Sequence, residues 1–249
     1  RPMKLKFIVT AVALSSWALS AQAVQVNNDG SDGVGTGLQS VLDNITIGPT
    51  PGQSSVDVNA DQLDDGLDSY WDITGTAGSV TTFVIEIAGQ SGSNTFGIYD
   101  RLNPLNYVEI FSGADSYNQG FPSQKTLTML ADGSIGINGI DTNIDFGSSV
   151  FGYYLGTANG PTFYSDSLLN SNGADQMVAY QGTNTDTIQI QGFDSGIWTD
   201  NEFILAWEDV LGGDQDFNDL VVMVESVLPV PEPGTLALLG AAFTSRRKA

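Results

Sequence analysis

Near the C-terminal end of the chain, Asp214, Asp216 and Asn218 alternate in Gly212-Gly213-Asp214-Gln215-Asp216-Phe217-Asn218-Asp219. Alternating carboxylate and amide oxygens on a winding, glycine-started backbone are how calcium loops gather hard ligands. Phe203-Ile204-Leu205-Ala206-Trp207-Glu208-Asp209 leads in and Leu220-Val221-Val222-Met223-Val224 leads out. Two apolar runs around an acidic, glycine-containing segment predict a strand, a loop and a strand. The spacing is not that of an EF-hand. Counting Asp214 as first, Glu225 stands twelfth, but the sixth position is Asp219 rather than Gly. A strand at about 3.3 Å per residue also carries Glu225 roughly 20 Å from the loop. Other oxygens must complete the shell. Glu208, and Glu86 in Phe83-Val84-Ile85-Glu86-Ile87-Ala88, each sit in an apolar run. There a carboxylate costs several kcal/mol unless it is paired. The expected metal ligands are therefore Glu86, Glu208, Asp209, Asp214, Asp216, Asn218 and Asp219, with Ca2+ as the ion. Two alternatives stand beside it: a solvated hairpin loop whose Asp and Asn side chains bond their own backbone, and protonated acids at the buried positions.

The rest of the composition narrows the chemistry. The 249 residues include no His and no Cys. That removes imidazole bases and ligands, the Ser-His-Asp triad, thiolate chemistry and disulfides. Between Val24 and Gly234 lie all 29 acids, 23 Asp and 6 Glu, against only two bases, Arg101 and Lys125. Nucleic acid is excluded as a partner because phosphate binding needs clustered Lys and Arg. Anionic membrane surfaces are disfavoured for the same reason. Such self-repulsion weakens a compact state unless cations offset it. No pair of carboxylates is singled out for glycosidic chemistry, and the expectation is a protein that is not an enzyme. A second acidic stretch, Asp57 to Asp72, holds Asp61, Asp64, Asp65 and Asp68; it reads as a solvated face, with a second ion site as the alternative. Tyr70, Trp71, Trp198 and Trp207 read as core or rim aromatics rather than a sugar platform.

The two ends are organised differently. Met3, Lys4 and Lys6 precede an apolar run from Phe7 to Leu19 and the small-x-small sequence Ala21-Gln22-Ala23. This order predicts a Sec signal peptide over residues 1–23, cut before Val24. At the other end, Val230-Pro231-Glu232-Pro233 leads into Gly234-Thr235-Leu236-Ala237-Leu238-Leu239-Gly240-Ala241-Ala242-Phe243 and then Arg246-Arg247-Lys248. These residues resemble the PEP-CTERM sorting tail, which implies processing by an exosortase-type enzyme and delivery to the cell surface or extracellular matrix. The basic cluster fits the positive-inside rule. Gly234 to Ser245 is 12 residues, about 18 Å as a helix against a hydrocarbon core of about 30 Å. Membrane contact through residues 230–249 is therefore expected to be transient.

Between the ends, residues 24–229 are expected to form one domain. Leu38, Val41, Leu42 and Ile45 recur at i, i+3, i+4 and i+7, which predicts one short amphipathic helix. The remainder reads as short strands between turn residues: 55–58, 80–88, 95–99, 107–111, 125–130, 134–138, 149–155, 176–180, 187–191, 202–208 and 220–227. Asp132-Gly133 between two of them is a hairpin signal. The pattern predicts an all-β antiparallel sandwich, plausible as a jelly roll, with one N-terminal helix. Leu38-Gln39-Ser40-Val41-Leu42, Asp68-Ser69-Tyr70-Trp71, Glu86-Ile87-Ala88-Gly89, Phe96-Gly97-Ile98-Tyr99 and Gly213 to Asp219 resemble an uncharacterised extracellular domain found ahead of PEP-CTERM tails. That resemblance implies a β-rich surface module with a calcium-holding acidic loop, and no established activity. The expected function is a non-catalytic surface or matrix protein with a calcium-stabilised sandwich. The alternative is a calcium-dependent module binding exopolysaccharide.

Overall fold

A computed structural model describes residues 24–28, 36–73, 78–85, 93–112, 115, 124–158 and 160–232. In chain order the elements are α1 (Leu38–Ile45), β1 (Thr46–Gly48), α2 (Asp65–Asp68), β2 (Trp71–Ile73), β3 (Gly78–Ile85), β4 (Thr95–Asp100), β5 (Asn103–Ser112), β6 (Gln124–Met129), β7 (Ser134–Ile137), β8 (Ile140–Asp145) and β9 (Phe151–Gly156). They continue with β10 (Thr162–Tyr164), β11 (Met177–Gln181), β12 (Thr187–Ile188), β13 (Gly196–Ile197), β14 (Glu202–Trp207), β15 (Leu220–Glu225) and β16 (Val227–Pro229).

Two antiparallel sheets face each other. The larger runs β11-β14-β15-β3-β6-β7-β8, and the smaller runs β16-β2-β9-β4-β5 with β10 paired to β9. Strand alternation explains the core between them. Phe203, Leu205 and Trp207 of β14 and Leu220, Val222 and Val224 of β15 point inward against Trp71, Phe96 and Tyr153 of the smaller sheet. The rings interlock edge-on, with Trp71 5.0 Å from Phe203 and Phe96 6.1 Å from Trp207. Each buried side chain of this size stabilises the fold by about 1.5–3 kcal/mol. The expected all-β sandwich is present.

The opposite face of the larger sheet is covered as well. Val178 and Tyr180 of β11, Ile204 and Ala206 of β14, and Val221 and Met223 of β15 pack in a second core with Leu38, Val41 and Leu42 of α1. This is why β14 and β15 read as continuous apolar runs rather than alternating ones. The predicted helix forms over Leu38–Ile45. Residues 55–58, expected as a strand, form irregular chain instead. Val56 and Val58 are buried in the second core as plugs beside α1, and their alternation serves packing rather than a ladder. The backbone there is tied by Gln39, whose Nε2 donates to Val56 O at 3.0 Å and whose Oε1 accepts from Val58 N at 3.1 Å. Hairpin β6–β7 turns at Asp132-Gly133 as predicted. Trp71, Trp198 and Trp207 are core residues, also as expected.

Candidate metal centre

Hairpin β14–β15 pairs Trp207 with Leu220 and leaves residues 208–219 as its connection. Because Trp207 points into the sandwich, alternation turns the next residue, Glu208, toward the opposite face. Its backbone is pinned on both sides by Gln176: Glu208 N donates to Gln176 O at 3.0 Å, and Gln176 Nε2 donates to Glu208 O at 3.1 Å. The loop then winds back. Gln215 and Phe217, the residues between the three ligand-type side chains, hold φ of 59° and 52°. Such left-handed geometry costs a non-glycine residue roughly 1–2 kcal/mol. Tertiary contacts hold it in place: Phe217 is buried in the second core, and Gln215 O accepts from Asn27 N at 2.8 Å.

The winding brings Glu208, Asp214 and Asp216 together, with one carboxylate oxygen from each lying within 4.8 Å of the others. Gly213 makes the approach possible. A Cβ on that residue would stand 2.1 Å from Glu208 Oε1, far inside van der Waals contact. Glu208 is 2% exposed and Asp216 and Asn218 are fully buried. Asn218 Nδ2 donates to Asp216 Oδ2 at 2.8 Å and to Thr36 O at 3.0 Å. Asp209 N donates to Asp219 Oδ2 at 2.8 Å, which closes the base of the loop, and Asn94 Nδ2 donates to Asp209 Oδ2 at 3.0 Å.

Several acceptors in this buried region are left over. Among the described residues Glu208 Oε2, Asn218 Oδ1 and Asn94 Oδ1 are buried without a hydrogen-bond donor. Leaving such a group unmatched costs about 1–3 kcal/mol, more if it is charged. Burial first, and then the carboxylates of Asp219, Asp214, Asp216 and Asp209, push the Glu208 carboxyl up to about 8. Burial likewise dominates at Asp219, pushed up to about 7. The two cationic side chains of the domain are engaged elsewhere, Lys125 with Asp115 at 2.8 Å and Arg101 over the Tyr70 ring at 4.6 Å. Three acidic side chains whose oxygens converge in this way can hold a metal ion. With no nitrogen or sulfur donor in the set, the ion it fits is a hard one that prefers oxygen.

Of the residues expected from sequence, Glu208, Asp214 and Asp216 converge. Asn218 is bonded to Asp216, and Asp209 and Asp219 are bonded to each other. Glu86 lies outside the described residues. Asn94 and Gln176 were not anticipated. Their roles arise from contacts 115 and 32 residues away in sequence, which no local pattern signals.

The second acidic stretch departs from the solvated face expected of it. Asp61 and Asp64 are exposed, but Asp68 at the end of α2 is 4% exposed. Burial, and then Asp175, Asp65 and Glu232, raise its carboxyl well above the usual range. Burial and Asp65 push Asp175 up to about 7. Glu232, the acid of the Pro-Glu-Pro sequence, is held here. Its N–H donates to Gly66 O at 3.1 Å, its Oε1 accepts from Ser69 Oγ at 2.7 Å, and Val230 N donates to Tyr70 O at 2.7 Å. The chain therefore passes from β16 onto α2 without a spacer.

Residues 130–227 match the model of a domain of unknown function (DUF4114), and residues 229–248 match the PEP-CTERM protein-sorting motif. The first match spans β7 to β15 and so contains the whole acidic loop; the second begins at the last residue of β16. No curated protein and no solved structure matches the chain. The sorting motif implies an exported protein whose C terminus is recognised by an exosortase. Among the described residues no helix is long and apolar enough to cross a membrane.

Proposed function

We propose that this is a non-catalytic component of the cell surface or extracellular matrix, whose sandwich is stabilised by a calcium ion bound at Glu208, Asp214 and Asp216. Residues 1–23 act as a Sec signal peptide, 24–229 are the exported domain, and 230–249 are the sorting tail. The observation that carries the metal reading is the convergence of three carboxylates within 4.8 Å around the buried Glu208, one of whose oxygens has no donor. Asn218, Asp219 and Asp209 are further oxygen carriers in the same loop, and calcium takes 6–8 oxygens in flexible geometry. When bound, the ion supplies positive charge at the point where burial and like charge oppose ionisation.

The gain falls on folding rather than on chemistry. An ion that binds only the folded chain stabilises it by about 2.7 kcal/mol at a hundredfold excess over Kd. That is a large share of a typical 5–15 kcal/mol. The loop also gathers distant segments, since Asn27 donates to Asp214 O at 3.1 Å and Asn218 to Thr36 O. Calcium held here would fasten the N-terminal segment to hairpin β14–β15. Calorimetric titration of the mature chain with calcium tests the reading. Saturable binding that Asp216→Asn weakens at least a hundredfold is expected, and unchanged affinity in that variant rejects the site.

A further inference from the structure

The outer face of the smaller sheet carries a row of residues with a different chemistry. In register across four strands, Glu109 of β5 stands opposite Gly97 of β4, Gly97 opposite Tyr154 of β9, and Tyr154 opposite Tyr164 of β10. One row over, Tyr107 pairs with Tyr99 and Tyr99 with Gly152. The glycines let the rings lean across the sheet. A Cβ on Gly97 would lie 2.7 Å from Tyr154 Cε1, and one on Gly152 would lie 2.3 Å from Tyr99 Cζ. Any larger residue there would push the rings off the strands.

The result is a cleft of about 340 Å³ lined by Thr95, Tyr107, Glu109, Tyr154, Thr162 and Tyr164, among others. That lies within the range of small-molecule sites, about 300–1,000 Å³. Tyr154 is its floor at 5% exposure, and Tyr107 meets it edge-on at 5.4 Å while remaining 54% exposed. Leu105 beside it is 84% exposed. Tyr99 and Tyr154 are buried in a small core with Tyr70, whereas Tyr107 and the half-buried Tyr164 present ring surface to solvent, edged by two threonine hydroxyls and one carboxylate.

We propose that this cleft binds an uncharged polysaccharide chain. A sugar ring offers an apolar C–H face to a tyrosine ring and hydroxyls at its edge to Thr95, Thr162 and Glu109, which is the pairing of surfaces the cleft provides. The charge pattern selects against other polymers. The lining holds Glu109 and neither Lys nor Arg, so a polyanion meets repulsion with nothing to offset it. The inference uses export to the surface but not the ion, because the cleft is built from β4, β5, β9 and β10 and shares no residue with the loop of residues 208–219.

Native affinity electrophoresis of the mature chain tests it, in gels containing hydroxyethylcellulose, xyloglucan, galactomannan or dextran, with carboxymethylcellulose as the anionic counterpart. Retardation by at least one neutral polymer and none by carboxymethylcellulose is expected. Tyr107→Ala should weaken that retardation about tenfold, the loss typical of an aromatic anchor, and Glu109→Gln should weaken it less. Ile140→Ala, on the exposed strand β8, should leave it unchanged. Tyr107 is half exposed and Glu109 is on the surface, so these variants keep the fold, and equal melting temperatures verify it. Retardation by none of the four neutral polymers overturns the proposal. So does retardation that Tyr107→Ala leaves intact, or self-association that Tyr107→Ala abolishes in the absence of any retardation.

Discussion

Two clusters of acids among the described residues meet the same electrostatic problem differently. At the β14–β15 loop, Glu208, Asp214 and Asp216 aim oxygens at one point, and Glu208 keeps an oxygen without a donor. At the end of α2, buried Asp68 and half-buried Asp175 lie with Asp65 and Glu232, and among the described residues three carboxylates converge only at the loop, not here. Desolvation raises the carboxyls of both groups. Where oxygens converge, a divalent cation can neutralise them. Where they do not, a proton can, because burial and neighbouring carboxylates raise the carboxyls of Asp68 and Asp175. Burial alone does not gather oxygens; the loop that turns several of them inward does.

The comparison breaks most sharply at Gly213 and Asp216. Gly213→Ala drives a methyl group into Glu208 Oε1 and should cost about 1–3 kcal/mol through overpacking, together with the calcium response; chemical denaturation with and without calcium reads both. Asp216→Ala should lower the melting temperature in calcium by several degrees, on the scale of about 2–3 kcal/mol of lost binding energy. In chelator it should have little effect, and equal losses in both conditions show that Asp216 does not act through the ion.

An intermediate effect comes from pH. The folded-state values of Glu208, Asp219 and Asp175 lie above their unfolded ones, so the native chain holds more protons than the unfolded chain. Stability from these groups is present below about pH 4 and is lost as pH rises through 7 to 8. In chelator the melting temperature should therefore fall between pH 5 and pH 8. Saturating calcium should remove the share due to Glu208 and Asp219 and leave that due to Asp68 and Asp175. Asp68→Asn should flatten the remaining slope without changing calcium affinity. If calcium abolishes the whole slope, the α2 group is also an ion site. The smallest effect is expected from Glu232→Gln, which removes one like charge from Asp68 at the cost of a weaker bond from Ser69. It should shift the pH midpoint of the α2 group slightly downward, measured by melting in calcium.

Sequence periodicity revealed most of the long elements and missed several of the short ones. Leu38, Val41, Leu42 and Ile45 marked α1 because one helical face is buried. The runs around Phe203 and Val222 marked β14 and β15 because a core lies on each side of them. Strands of three residues such as β2, β10 and β16 are too short to display a period. In β8 no residue is buried, so no apolar stripe marks it. The candidate ligands of the loop were legible because spacing alone brings alternate side chains to one turn. Their supports were not, since Asn94, Gln176 and Thr36 arrive from distant segments. Asp68 was misread because nothing in its neighbours foretells that Asp175 and β11 cover it. The tyrosine cleft was equally hidden: it depends on which glycine faces which ring, and only strand register decides that.

Thermal unfolding of the mature chain at pH 7.5, in millimolar calcium against excess chelator, bears most directly on the claim that a dissolved cation completes the acidic loop. A rise of several degrees with calcium, absent in Asp216→Ala, is the predicted result. Superimposable melting curves for the unmodified chain in the two conditions would contradict it.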